Sequence, residues 1–452
     1  MKLNRMVTSS ALLVGLITLL SPLTVMPSYA ADSQTKSSQS NNKDKKDSES
    51  VWDESMGDSW GDEWDEPKSF WQSFTGFAEL SYGQRLQTDP LINEKQTLNE
   101  ARLQVKNQWL LDSSTVNIRA HGFYDGVQSQ WRGQIRELNW QGKVSDNWDL
   151  KVGQQVLTWG TGDYVFVNDL FAKDWQSFFA GRDDEYLKAP QLGIKASGYF
   201  DKFSVDLVYS PSFTADTYID GSVFSYYNYQ PGAMDVGQFE PSSPESAIRI
   251  KINQDQTEYA FYGYSGFEKS PLSAQVIQGQ EGQLIGFAPY FAPLNVIGAS
   301  VRMPAAVGLF NAEVGHYNTS DSDGQNPLVS NDQWKVLVGY EQELMPNVTG
   351  SLQWLYEYIL DREVGESNQQ HRSTVTAQVR VTAIQNKLNV QFFNFYSPSD
   401  KDGYARVRVN YKITDTWQVS GGLNHFWGDQ PDSFFGQFED ASNAFVSARF
   451  YF

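Results

Sequence analysis

From Phe74 to the final residue, Phe452, apolar and polar positions alternate with a period of two, the spacing of a strand whose two faces meet different surroundings. In the last such segment Val446, Ala448, Phe450 and Phe452 share one face, and Ser447, Arg449 and Tyr451 share the other. Leu103, Val105 and Trp109 oppose Arg102, Gln104, Lys106 and Gln108 in the same way, as Val375, Ala377, Val379 and Val381 oppose Thr376, Gln378, Arg380 and Thr382. The pattern predicts strands near 74–86, 97–111, 114–127, 131–145, 148–158, 190–200, 203–212, 245–254 and 257–267. It predicts further strands near 294–303, 308–318, 333–344, 348–361, 371–384, 388–397, 403–413, 417–427 and 443–452. The stretch from Gly279 to Pro293 reads poorly as either strand or loop.

These roughly eighteen segments make an even number, as single-chain bacterial barrels have. Every second connection is short and rich in turn residues: Asp112-Ser113, Asp146-Asn147, Asp201-Lys202, Asp255-Gln256, Pro304-Ala305, Pro346-Asn347, Gln385-Asn386 and Asp415-Thr416. The others are longer or at least as long, the longest spanning about 159–189, 213–244 and 268–293. One face suits lipid and the other water, which predicts an all-β fold, a transmembrane antiparallel β-barrel with short periplasmic turns and long extracellular loops.

Alternation is also seen in soluble all-β proteins, and three further features separate the two readings. Lys2 and Arg5 precede an apolar run from Ala11 to Leu23, followed by Ser28-Tyr29-Ala30, so residues 1–30 read as a signal peptide cleaved after Ala30. Trp109, Trp131, Trp140, Trp148, Trp354, Trp417 and Trp427 lie near strand ends, where interfacial girdles form. Phe452 is the terminal aromatic residue through which barrel-assembly machinery is expected to recognise the chain. The sequence thus predicts export to the outer membrane of a Gram-negative cell, with residues 73–452 as the barrel and outer-membrane lipid around it.

Between signal and barrel, residues 31–72 form an acidic, Trp-containing periplasmic segment. Its first part, to about Ser50, has no aromatic residue and is expected to be disordered. In residues 51–67, Trp52, Met56, Trp60 and Trp64 recur every fourth position among acids, although Gly57 and Gly61 weaken a helix. Trp52, Trp60 and Trp64 are candidates for docking a periplasmic or inner-membrane partner, with a plug or a plain spacer as the other readings.

The chain is 14% aromatic but polar on average, and beyond the N-terminus it has no run of the roughly 20 apolar residues that a membrane helix needs. A net charge of −19 argues against nucleic-acid binding. With no Cys there is no disulfide, lipid anchor or thiolate cofactor ligand. His121, His316, His371 and His425 lie in no nucleophile motif and no metal-ligand spacing, so neither an enzyme, a metal site nor a cofactor is expected.

About eighteen strands enclose a channel wide enough for water. The predicted lumen face carries Arg102, Lys106, Arg119, Lys151, Lys195, Arg249, Lys251, Lys335, Arg380, Arg406, Arg408, Lys412 and Arg449. Glu79, Asp125, Glu137, Asp149, Asp206, Glu258, Glu313, Glu341 and Glu357 share that face. A basic wall in an acidic chain points to anionic solutes. The competing reading is a ladder of opposed charges paired across neighbouring strands.

The strongest local signature is Lys151-Val-Gly-Gln-Gln-Val-Leu-Thr-Trp-Gly-Thr-Gly-Asp163, a strand that breaks into a Gly-rich turn. With Arg136-Glu137-Leu138 before it and Asn168-Asp169-Leu170 after it, this region resembles the alginate-export-like porin group of proteobacterial outer-membrane barrels. The match covers about forty residues, centred on 136–175. Phe171-Ala172-Lys173-Asp174 replaces the Asn-Pro segment often found there. The resemblance implies passage of solute, not catalysis.

Gly160 and Gly162 allow positive φ where the chain leaves the wall, so the loop after Trp159 is expected to fold inward, the alternative being an outward loop with solvated acids. Asp163, Asp169, Asp174, Arg182, Asp183, Asp184 and Glu185 would then line a constriction. The function expected is a porin-like channel for diffusion of small hydrophilic, in particular anionic, solutes. The alternative is the outer-membrane component of a partner-driven system that moves lipid-like or hydrophobic cargo.

Overall fold

A computed structural model describes residues 73–227, 240–278, 284–326, 328–361 and 369–452. The signal peptide, the acidic segment and the docking candidates Trp52, Trp60 and Trp64 lie outside the described residues.

The chain runs through β1 (Thr75–Arg85), β2 (Gln96–Leu111), β3 (Ser114–Asp125), β4 (Gln130–Ser145), β5 (Trp148–Val156) and β6 (Pro190–Tyr199). It continues with β7 (Phe203–Ser210), β8 (Glu245–Gln254) and β9 (Thr257–Phe267). A separate hairpin of β10 (Ser273–Gln278) and β11 (Leu284–Tyr290) follows. The remaining strands are β12 (Pro293–Ala305), β13 (Gly308–Asn318), β14 (Gln333–Met345), β15 (Val348–Ile359) and β16 (His371–Ala383). Last come β17 (Leu388–Ser397), β18 (Asp402–Lys412), β19 (Trp417–Gly428) and β20 (Asn443–Tyr451).

Apart from the hairpin, these strands form one 18-stranded antiparallel sheet in chain order, with β9 paired to β12. The sheet closes where β1 pairs with β20, from Phe77↔Tyr451 to Arg85↔Asn443. Phe452 completes the seam: Gly76 N donates to Phe452 O at 2.9 Å, and Phe452 N donates to Gly76 O at 3.0 Å. Closure leaves no strand edge with unpaired backbone groups, which a sheet needs if lipid is to surround it. Within the stretch before Pro293 that period two could not assign, Leu284–Tyr290 is a strand of this hairpin, which among the described residues pairs with no strand of the ring.

Each strand reverses direction, so all short turns lie at one end of the barrel, the turn end, and all long connections at the other, the loop end. Asp255 and Gln256 both take positive φ (48° and 69°), the conformation of a two-residue hairpin turn whose twist matches the flanking strands. One turn differs from expectation. β12 runs on through Pro304 to Ala305, which pairs with Gly308, and the reversal falls at Ala306-Val307 with Ala306 at φ 51°. Pro304 lies near the strand's end, where the loss of one N–H costs little.

The two faces are chemically distinct. Leu80, Leu103, Ile297, Leu352 and Val446 are exposed on the outside, whereas Arg102, Gln104, Asp206, Gln378 and Arg406 are buried within. Phe452 faces outward, half exposed. The lumen is not empty. It holds two apolar clusters, one against β2, β14, β15 and β17 to β20 and one against β7, β8, β9, β12 and β13, and residues from the 157–189 connection contribute to both.

Candidate functional site

The 157–189 connection between β5 and β6 folds inward, and the Gly-rich motif sets up the turn. Gly153 has φ 125°, and a Cβ there would lie 2.2 Å from Leu138 O, so only glycine fits against β4. Trp159 packs edge-on to Phe171 at 5.0 Å, beneath the Arg249 guanidinium. Gly160, at φ 81°, then turns the chain so that successive N–H groups point at one carboxylate, that of Glu313 on β13. Thr161 N and Gly162 N donate to Glu313 Oε1, the latter at 2.9 Å. Asn168 donates to Oε2 through its backbone N (3.1 Å) and its Nδ2 (2.9 Å). Such backbone N–H groups around an anion form a nest, strong because the acceptor is charged. A Cβ on Gly162 would sit 2.1 Å from Val165 O, so this position too is sterically reserved for glycine.

The acids expected to line the constriction fall into two sets. Asp169 is buried and ties the loop's base together: Lys173 Nζ approaches Oδ1 at 3.1 Å, while Lys188 Nζ (3.4 Å) and Thr158 Oγ1 (2.8 Å) reach Oδ2. Asp174 caps a short helix, α1 (Trp175–Ala180), accepting from Ser177 N at 2.7 Å and Ser177 Oγ at 2.6 Å. Burial pushes the carboxyl of Asp174 up, as it does that of Asp163, which accepts from Ser351 Oγ at 3.1 Å. Asp169 and Asp174 therefore hold the loop's own shape and do not face the passage.

Asp183, Asp184 and Glu185 form the second set and meet the wall's arginines. α1 ends at Gly181 (φ 81°), and Arg408 donates to Gly181 O at 2.6 Å and to Arg182 O. Arg182 Nε donates to Glu100 at 2.9 Å. Asp183 pairs with Arg449 at 3.3 Å, Asp184 with Arg406 at 2.8 Å, and Glu185 with Arg119 at 3.5 Å. Burial alone would raise the carboxyl of Asp183, but Arg449 and Arg408 outweigh it and hold it below its ordinary value. All three acids keep about a third of their side-chain surface open.

Several groups that anchor the loop escape period-two reading. Between Arg119 and Ala120 the β3–β4 register shifts by one residue. This bulge turns Arg136 inward beside Glu137. Arg136 Nη2 donates to Glu185 O (2.6 Å) and Lys188 O (2.9 Å). The Arg-Glu pair in the motif was the available signal, since both of two consecutive residues can share a face only at a bulge. Asn424 and Asn443 donate to Phe179 O at 3.0 and 3.1 Å, and Phe178 and Phe179 insert among Phe393, Tyr404, Phe426 and Phe438. The loop thus touches the wall nearly all the way round.

The other basic candidates point into the lumen, many beside an acid. Lys195 and Arg249 reach Asp206 at 3.5 and 3.1 Å, Lys251 reaches Glu258 at 2.9 Å, and Lys335 reaches Glu357 at 3.1 Å. Arg102 pairs with Glu100 at 2.8 Å, and Arg449 with Glu79 at 2.8 Å. Arg380 donates to Gln378 at 3.4 Å, and Lys412 is exposed at the turn end of β18. Cross-strand pairing of opposed charges is thus present, but not uniform. In the strand register Lys106 lies directly opposite Arg119, and Lys151 directly opposite Lys195. His121 lies in the lumen against Tyr186, while His316 packs tilted against the outward Trp334 and His371 stacks on the outward Tyr358.

No protein-family model and no curated protein matches this sequence. Solved structures do match. OccAB3 of Acinetobacter baumannii aligns with a TM-score of 0.52 at 12% identity, covering 84% of this chain and 98% of that one. OccK2 (OpdF) of Pseudomonas aeruginosa, in complex with glucuronate, aligns with a TM-score of 0.53 at 9% identity, covering 84% and 97%. Likeness at such identities is one of fold. The chain has the closed 18-stranded antiparallel barrel of outer-membrane porin structures.

Proposed function

We propose that this protein is an outer-membrane channel for diffusion of small hydrophilic solutes, with a preference for anions. The observation that carries the preference is the placing of like charges opposite one another on the lumen wall, Lys106 with Arg119 and Lys151 with Lys195. Directly opposed cations destabilise a sheet, so such pairs suit a surface that meets mobile anions. Glu137 (3.8 Å) and Glu185 (3.5 Å) beside Arg119, and Asp206 (3.5 Å from Lys195 and shared with Arg249), moderate the field without matching it one for one. The acids of the inward loop offset the arginines at mid-lumen, which leaves the Lys-rich wall toward the turn end as the anion-facing stretch.

The Lys151–Asp163 signature supports a place among the alginate-export-like porins, within the broader outer-membrane barrels. The outward ring of Phe452 at the seam supports its reading by barrel-assembly machinery. The test is conductance of the purified protein in a planar bilayer under a salt gradient, with glucuronate as a probe carboxylate. The expected result is ion conductance, a reversal potential on the anion side, and block by glucuronate. A reversal potential favouring cations overturns the preference. Absence of conductance overturns the channel and favours the partner-driven alternative.

A further inference from the structure

The connection from β7 to β8 joins neighbouring strands, Ser210 lying opposite Glu245, yet it reaches far from both. Residues 222–227 touch β1, the β1–β2 connection and the β19–β20 connection, which lie six to eight strands from β7 in a ring of eighteen. This segment therefore crosses the mouth of the barrel at its loop end.

Along the way it lies against the inward loop. Thr217 N donates to Lys173 O at 2.8 Å, Gln176 N to Thr217 O at 3.2 Å, and Gln176 Nε2 to Ser222 Oγ at 3.1 Å. Its tip is then seated and tied. Phe224 is fully buried, and with Val223 it joins the apolar cluster of Phe178, Phe179 and Leu98. The Arg85 guanidinium donates to Val223 O and pairs with Asp89 at 3.7 Å, and Ser225 Oγ donates to Asp89 at 2.7 Å.

We propose that residues 218–227 form an extracellular lid over the constriction, hinged at Asp216-Thr217, seated by Phe224 and latched by Arg85, Asp89 and Ser225. The inference rests on the channel reading above. Residues 213–217 are fixed as a hinge, since Asp216 accepts from Lys173 N at 2.7 Å and Trp175 Nε1 at 3.1 Å and its own N donates to Lys269 O at 2.7 Å, whereas residues 218–227 are held through side chains and, among the described residues, make no strand ladder to the wall. Elements held this way open locally at far lower cost than the barrel unfolds. Permeation past α1 then requires the tip to leave its socket, so the latch sets how often the path is open.

The chain has no native Cys, so introduced thiols are unique. In Asp89→Cys/Ser225→Cys the free thiols abolish the latch, whereas a short bis-methanethiosulfonate bridge replaces it covalently. The expected result is open-channel time several-fold above wild type when reduced, below wild type when bridged, and restored by dithiothreitol. Equal conductance in the bridged and reduced states overturns the lid. A second readout does not depend on conductance: labelling of Val223→Cys on intact cells by a membrane-impermeant maleimide, with and without Asp89→Asn. At least a tenfold faster reaction without the latch supports the lid, and an unchanged rate overturns it. If no version conducts, the channel reading fails and the labelling rate alone decides whether this segment opens.

Discussion

Replacing Glu313 with Gln should detach the inward loop from the wall while leaving the barrel closed. The carboxylate is buried and accepts from Thr161 N and Gly162 N on one oxygen and from Asn168 N and Nδ2 on the other. An amide keeps the volume but turns one oxygen into a donor, so two of the four donors lose their acceptor and face an N–H group. Hydrogen bonds to a charged group are worth about 1.5–3 kcal/mol each, and a buried donor left unsatisfied costs about 1–3 kcal/mol. Allowing for non-additivity, the loss is about 3–5 kcal/mol. At about 1.4 kcal/mol per factor of ten, 3 kcal/mol shifts the docked-to-undocked ratio roughly 150-fold. The barrel's own ladder does not depend on this carboxylate, so the effect should stay local. Single-channel recordings should show a larger or noisier conductance, and trypsin should cut at Arg182 or Lys188 faster than in wild type. Wild-type conductance together with wild-type cleavage would refute the view that Glu313 anchors the loop.

Other outcomes follow from the same geometry. Gly162→Ala should loosen the turn, because its Cβ would meet Val165 O at 2.1 Å; faster proteolysis within 157–189 checks this, and an unchanged rate counts against it. The Asp183 carboxyl is held below its ordinary value by Arg449 and Arg408, so its contribution is complete above the unfolded pKa of about 3.9 and is lost as pH falls through the lower folded value. Conductance traces should therefore show no loop release through this group between about pH 7 and 5, and release only below about pH 4; release near neutral pH would contradict the pairing. Lys151→Glu and Lys195→Glu should each move the reversal potential toward cations, and the pair of changes together should move it further.

Strand positions, the even count and the outward face of Phe452 were legible in the sequence because each is set locally: a pleat alternates faces every residue, and turn residues act on their own φ. Gly160 and Gly162 marked where the chain leaves the wall, but whether the loop then folds inward or outward stayed open in the sequence, because positive φ permits a turn without setting its direction. Nor was the loop's anchoring legible there. Asn168 and Glu313 are 145 positions apart, and nothing in the neighbourhood of either marks the other. The bulge that turns Arg136 inward breaks the period on which the face assignment relies, and only the register with β3 reveals it. Asp169 and Asp174 look like pore acids in the sequence, but the fold assigns them to a buried ion pair and a helix cap. The sequence by itself determined the wall of this protein, because lipid outside and water inside impose a repeating local rule. Tertiary structure alone decided what fills the lumen, because those contacts join strands and loops from opposite sides of a closed ring.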